Sequence, residues 1–318
     1  MTASPLVVSV PEPEYAQALG DLDGLDVVVW DMEQPHPRGA EIRLAVMPYM
    51  TKLRLADVVE GLDALEVVQL QSAGYEQFVD GLPDGVTLCN AAGVHDASTA
   101  ELALTLTLAS IRDIPEFVAA QARSRWEPLR LRTALADRRV LVLGYGQIGR
   151  AIACRFAPFE VSLTAVASHA RDGDELVPQV HGIDELPELL PHHDVVVVIV
   201  PLTDATRGLV DAAMLGRMPD GALVVNVARG PVVDTQALVA ECASGRLRAA
   251  LDVTDPEPLP ADHPLWTTPG VLITPHVGGA TDAMRPRAMA LVRRQVEALL
   301  AGQPVGNAVA GPLSRAGR

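Results

Sequence analysis

Small, basic and titratable residues interrupt the apolar runs of this chain at spacings that suit chemistry. Gly144, Gly146 and Gly149 follow the strand-length run Arg139–Leu143 and lead into Arg150–Phe156, whose apolar residues fall on one helix face. In such a turn the first glycine permits the tight bend, the second lets the backbone approach a pyrophosphate, and the third admits close helix packing. Gln147 and Ile148 lie within this fingerprint as further cofactor-binding candidates, next to a helix N-terminus whose unpaired N–H groups attract an anion. The spacing predicts a dinucleotide site; a glycine-rich turn without a ligand is the plainer alternative. Arg229, Glu257 and His276 could serve the other reactant, each following a predicted strand on the side of an α/β sheet where ligands bind. Hydride transfer to the carbonyl of an anionic reactant would need a cation for its charge and oxygen, an acid for the new alkoxide, and a donor held against the carbonyl carbon. The planar fork of Arg229 meets the first need. The imidazole of His276 titrates near working pH, and a carboxylate such as Glu257 would orient it and favour its charged form. Singly, each residue could also be ordinary loop chemistry.

The elements that must position them alternate. Leu6–Val10, Leu25–Trp30, Leu44–Met47, Leu65–Leu70 and Val86–Cys89 read as strands, with short helices over Glu14–Leu22 and Leu53–Leu62. This first α/β region has no glycine fingerprint, which argues against its being the dinucleotide site. Ser98-Thr99-Ala100-Glu101 reads as a capping box that opens a helix to Ile111, with Glu101 as its N3 cap. A second series has strands Val140–Leu143, Val161–Val166, Val195–Val200, Ala222–Val227, Ala249–Val253 and Val271–Ile273, then a helix over Ala283–Leu300. The valine run has the composition of a parallel strand covered on both faces. The stretch after Gly311 reads as a frayed tail. The fold class expected is α/β, with two Rossmann-like or flavodoxin-like domains on parallel sheets.

At 318 residues and 49% hydrophobic content the chain can fill two cores. Forty acidic against 25 basic residues give a formal charge of −15, which disfavours nucleic acid and anionic membrane as partners and favours a small molecule. Cys89, Cys154 and Cys242 are widely spaced and odd in number, so they read as buried thiols in a reducing compartment. No basic n-region precedes Leu6–Val10 and no apolar stretch reaches about 18 residues, so a cytoplasmic protein is expected. The histidines form no metal-ligand pattern, and no metal is expected.

Asn226-Val227-Ala228-Arg229-Gly230-Pro231-Val232-Val233-Asp234 resembles the D-isomer-specific 2-hydroxyacid dehydrogenase family, including its glyoxylate/hydroxypyruvate reductase-like members. Pro201-Leu202-Thr203 with Thr206, Leu251–Pro258 and Thr274–Thr281 strengthen the match, which extends more weakly to Gln71-Ser72-Ala73-Gly74 and Gly302–Val305. The resemblance implies a substrate domain of residues 1–95 and 284–318, a dinucleotide-binding domain of residues 96–283, an active site in the interdomain cleft, and a homodimer formed through the cofactor domain. It assigns Arg229, Glu257 and His276 as catalytic, with Arg229 and His276 also meeting the substrate. It further implies that Asp252 receives the nicotinamide carboxamide, that Ser72, Ala73 and Gly74 hold the substrate carboxylate, and that Pro201, Thr206, Ala228 and Gly278 line the cofactor. Glu76 stands where the family often has Asp. Tyr49 and Met50 could line the substrate pocket, packing being an equal reading.

An oxidoreductase acting between NAD(P)H and a small anionic 2-oxo or D-2-hydroxy acid, glyoxylate or hydroxypyruvate foremost, is therefore expected. A dinucleotide-sensing regulatory protein of the same fold and a phosphite or formate dehydrogenase are the alternatives; the formate branch would call for Gln at position 257. NADP is expected to be preferred over NAD. An acidic residue about 20 positions beyond the fingerprint would hold the ribose hydroxyls, and in its place stand Ser168, His169 and Arg171.

Overall fold

The valine- and leucine-rich runs become strands because they are apolar on both faces, as sheets covered by helices on both sides require. In the computed structural model, which describes residues 4–312, they build two compact units. One takes residues up to His95 and from Asp282 onward, the other Asp96–Thr281. Of the tail read as frayed, the part beyond Pro312 lies outside the described residues.

The first unit contains β1 (Leu6–Val10), α1 (Pro13–Leu19), β2 (Leu25–Val29), β3 (Ile42–Val46), α2 (Leu55–Val58), β4 (Val67–Gln69), α3 (Glu76–Val79) and β5 (Thr87–Cys89), completed by α10 (Met284–Leu300) and β14 (Ala308–Ala310). Its sheet order is β14-β5-β4-β3-β1-β2, parallel except for β14, which runs antiparallel to β5. Tyr15, Leu19, Leu291, Val292 and Val296 pack on one face against Leu6, Val8, Val10, Leu44 and Val46. Trp30, Leu55, Leu70 and Phe78 belong to the core on the other.

The second unit opens with α4 (Asp96–Ile111) and α5 (Ile114–Ala122) and continues through β6 (Arg139–Leu143), α6 (Gln147–Phe156), β7 (Ser162–Ala167), β8 (Arg171–Asp172), β9 (Gln179–Gly182), α7 (Leu186–Leu189), β10 (Val195–Val198), α8 (Ala212–Arg217), β11 (Leu223–Asn226), α9 (Thr235–Ala243), β12 (Arg248–Leu251) and β13 (Val271–Ile273). The strand order is β13-β12-β11-β10-β6-β7-β9-β8, parallel apart from the short β8. β6 has β7 on one side and β10 on the other, so the strand order reverses there, the place where open α/β sheets bind ligands. Ala100, Ala103, Ile152, Ala153 and Phe156 bring α4 and α6 into one core with Val140, Val142 and Val197.

Three local expectations need correction. The first long helix starts at Asp96, so Ser98 and Thr99, both buried, lie inside its first turn and Ser98 is not its N-cap. An acid in the first turn complements the helix dipole and displaces that start signal. Glu101 instead reaches Arg155 of α6, 3.5 Å away. The helix expected over Leu53–Leu62 is the single turn α2. Of the three cysteines expected to be buried, Cys154 is exposed, because it lies on the face of α6 away from Ile152, Ala153 and Phe156.

Candidate active site

The loop after β6 tests directly whether a dinucleotide fits. A Cβ on Gly144 would lie 2.3 Å from the Ile199 carbonyl oxygen, and Gly144 holds φ +109°, so only glycine serves there. On Gly149 it would lie 2.0 Å from the Gly144 carbonyl oxygen. On Gly146 it would meet nothing within 4 Å. Two glycines are thus consumed by packing and the third faces open space, the cradle that a pyrophosphate needs above the N-terminus of α6. Gly146 and Gln147 are exposed, Ile148 half-buried and Gly149 buried.

The neighbouring hairpin braces this turn. Asp174 Oδ1 accepts from the Tyr145 hydroxyl at 3.0 Å and from the N–H groups of Leu176 and Val177, while Oδ2 accepts from Arg150 Nε at 2.8 Å. Burial works to raise the Asp174 carboxyl, but these four donors outweigh it and hold it below the usual range. Burial, with the Asp174 contact, pushes the Tyr145 phenol up. Arg171 Nη2 donates to the Tyr145 carbonyl at 2.7 Å, which ties an exposed guanidinium beside the glycine turn. Ser168 and His169, at the end of β7, are exposed too. Across the switch point, the Thr206 hydroxyl donates to the Pro201 carbonyl at 2.6 Å and accepts from Thr203 N–H at 2.8 Å, so it shapes the loop after β10.

Arg229, Glu257 and His276 follow the adjacent strands β11, β12 and β13 at the same sheet edge. His276 Nδ1 and Glu257 Oε1 are 2.6 Å apart, and both side chains are only partly exposed. That contact leaves Nε2 as the nitrogen for exchanging a proton with a ligand. Arg229 is half-buried, and its guanidinium has one hydrogen bond among the described residues, from Nη1 to the Ala228 carbonyl at 2.7 Å.

Asp252 is 3% exposed, and its carboxylate is largely engaged by the loop after β13. Oδ1 accepts from the Thr274 hydroxyl at 2.6 Å and Val277 N–H at 2.9 Å; Oδ2 accepts from Gly278 N–H at 2.8 Å. His276 N–H donates to the Asp252 carbonyl at 2.7 Å, and His276 holds φ +55°. Asp252 therefore organises the segment that carries His276, and the structure leaves Oδ2 with one acceptor site for a further donor. Buried Gly278 belongs to the same knot, and buried Ala228 donates its N–H to Asn226 Oδ1 at 3.0 Å.

Ser72, Ala73 and Gly74 belong to the other unit, in the loop after β4. Ser72 Oγ donates to the Gly74 carbonyl at 2.7 Å, and Asn90 Nδ2 donates to the Ala73 carbonyl at 2.8 Å. Among the described residues no protein acceptor meets the N–H groups of Ala73 and Gly74. Glu76, at the start of α3, accepts from Tyr75 N–H at 3.0 Å. Tyr49 stacks on His95 with ring centroids 5.7 Å apart, whereas Met50 is 67% exposed with φ +54°.

The sequence reading missed Asn226, Thr274, Tyr145, Arg150 and Asp174, which touch and hold the expected site residues. A polar residue ending an apolar strand, as Asn226 does, was the available signal. Among the described residues no cluster of His, Cys, Asp and Glu could hold a metal ion, and no helix is long and apolar enough to cross a membrane.

Comparison with known proteins matches residues 104–278 to the family described as D-isomer specific 2-hydroxyacid dehydrogenase, NAD binding domain. The glyoxylate reductase/hydroxypyruvate reductase of Homo sapiens is 33% identical over 301 residues, 91% of this chain and 92% of that protein. The glyoxylate reductase of Thermofilum pendens is 31% identical over 309 residues, covering 92% and 90%. Among solved structures, a D-isomer specific 2-hydroxyacid dehydrogenase from Xanthobacter autotrophicus Py2, in complex with NADPH and MES, superimposes with a TM-score of 0.82 at 34% identity, over 97% of this chain and 98% of that one.

Proposed function

Because this chain belongs to the D-isomer-specific 2-hydroxyacid dehydrogenase family, whose members are NAD(P)-linked 2-hydroxyacid oxidoreductases, we propose that it reduces glyoxylate or hydroxypyruvate and prefers NADPH. The observation that carries the reading is the His276–Glu257 contact of 2.6 Å on the strand edge that also presents Arg229 and the open Gly146 turn. The dinucleotide, when bound, supplies the hydride. Arg229 holds the substrate carboxylate through its fork and draws charge from the ketone oxygen. His276 delivers a proton from Nε2 to that oxygen, and Glu257 on Nδ1 keeps the ring oriented. A small substrate is supported by the near-complete coverage of the two reductases named above, and NADPH by the exposed Ser168, His169 and tethered Arg171.

Trp126, Leu129 and Leu131 are 96–99% exposed on one extended stretch, which supports a homodimer that covers them. Sedimentation at micromolar concentration should give twice the 33.7 kDa mass. A cytoplasmic setting is supported by three free cysteines, two of them buried, with burial pushing the thiols of Cys89 up to about 12 and Cys242 up to about 11. The deciding experiment is a spectrophotometric screen of glyoxylate, hydroxypyruvate, pyruvate and bulkier 2-oxo acids with NADPH and NADH, repeated on Arg229→Lys. The variant keeps the charge and loses the fork, so KM should rise and kcat fall; unchanged constants would remove Arg229 from the site.

A further inference from the structure

Asn226 is the last residue of β11, is 1% exposed, and is polar in a strand otherwise made of Leu223, Val224 and Val225. A buried carboxamide is costly unless its donors and acceptor are used. Here both ends are spent two and three residues along the chain. Nδ2 donates to the Arg229 carbonyl at 3.0 Å, and Oδ1 accepts from Ala228 N–H at 3.0 Å. The Asn226 backbone carbonyl accepts from Asp252 N–H at 2.9 Å, so the residue is anchored to the next strand as well. From the other side, a Cβ on Gly230 would lie 1.9 Å from the Thr254 carbonyl oxygen, so the turn is pressed against the segment leading to Glu257. Arg229 itself sits at φ −146°, ψ 143°, an extended conformation that its own two soft dihedrals do not enforce.

We infer that Asn226 is a positioning residue for Arg229: its carboxamide closes the β11 turn and aims the guanidinium. This inference rests on the reading that Arg229 holds the substrate carboxylate. The side chain offers a hydrogen to the Arg229 carbonyl and an oxygen to Ala228 N–H, a combination that only a carboxamide or a protonated carboxylic acid of that length reproduces. Serine keeps a possible acceptor but is too short to bridge both groups. Ionised aspartate sets a carboxylate oxygen against the Arg229 carbonyl, and protonated aspartate restores the donor.

The test uses the full chain loaded with NADPH and oxamate, an unreactive carboxylate shaped like a 2-oxo acid, with affinity read by calorimetry. Asn226→Ser should weaken oxamate about tenfold, the scale of one unmade buried hydrogen bond, while NADPH affinity changes less than about twofold. Asn226→Asp should lose as much near pH 8 and, relative to the parent at the same pH, recover most of it near pH 5.5 as the buried acid takes up its proton. In an Arg229→Ala background the Asn226→Ser loss should vanish, because the side chain it aims is gone. A loss of equal size in both backgrounds, or an Asn226→Asp deficit that does not change with pH, overturns the inference while leaving the role of Arg229 intact. If Arg229→Ala itself leaves oxamate affinity unchanged, the reading of Arg229 fails first. Should Asn226→Ser not fold, the acid-dependent recovery of Asn226→Asp still decides the matter.

Discussion

Replacing Asp252 by Asn tests whether one buried carboxylate holds the segment that carries His276. The side chain keeps its shape, so no cavity forms, but the chemistry of one end inverts. Oδ1 can still accept from the Thr274 hydroxyl and Val277 N–H, now as a neutral oxygen, while the amide nitrogen faces Gly278 N–H across what was a 2.8 Å hydrogen bond. A hydrogen bond to a charged acceptor contributes about 1.5–3 kcal/mol and a neutral one about 0.5–1.5. One bond is therefore lost with its donor left unsatisfied, and two are weakened, partly offset because a charge need no longer be desolvated. The net cost is about 3 kcal/mol. The unit carrying it spans residues 96–281, which is 281 − 96 + 1 = 186 residues. At about 2–4 °C per kcal/mol for a domain of that size, its melting temperature should fall by roughly 6–12 °C. Differential scanning calorimetry without cofactor reads the shift directly. Turnover should fall as well, because the His276 loop loses its fastening. Melting within about 2 °C of the parent, well below the shift expected for a domain of this size, would refute the claim that the three protein donors depend on the carboxylate's charge.

Two other perturbations separate roles at the same edge. Glu257→Gln deletes the charge beside His276 Nδ1 while keeping a hydrogen-bonding group, so kcat for 2-oxo acid reduction should fall with KM nearly unchanged; an unchanged kcat would withdraw Glu257 from its role. Arg171→Ala should raise KM for NADPH by about tenfold to 150-fold, the span of a charge-assisted hydrogen bond, and leave NADH use nearly unchanged; equal losses with both cofactors would point to a collapse of the hairpin that Arg171 ties to Tyr145.

Much of this protein was legible before any coordinates, and the reason is locality. The run Arg139–Leu143, the G-x-G-x-x-G turn and the apolar face of α6 occupy consecutive residues, and the hydrophobic periods that separate strand from helix act over a few residues each. Arg229, Glu257 and His276 could be singled out because each closes a recognisable strand-to-loop block. What the sequence could not supply were pairings between distant positions. That Asp252 spends its carboxylate on residues 274, 277 and 278 depends on β12 and β13 lying side by side. The partnership of Glu257 with His276 was expected from residue type and family resemblance, but the contact that makes it across 19 residues depends on the same pairing. The hairpin of β8 and β9, too short to show a period, matters only because it folds back so that Asp174 meets Tyr145 and Arg150. The start of α4 at Asp96 lay equally outside a local reading, since Ser98 and Thr99 carry the residues of a cap yet are taken up by burial. Apolar pattern is written into every few residues, but the partner of a buried polar group is set by whichever strand the fold brings next to it, and that was decided by the tertiary structure alone.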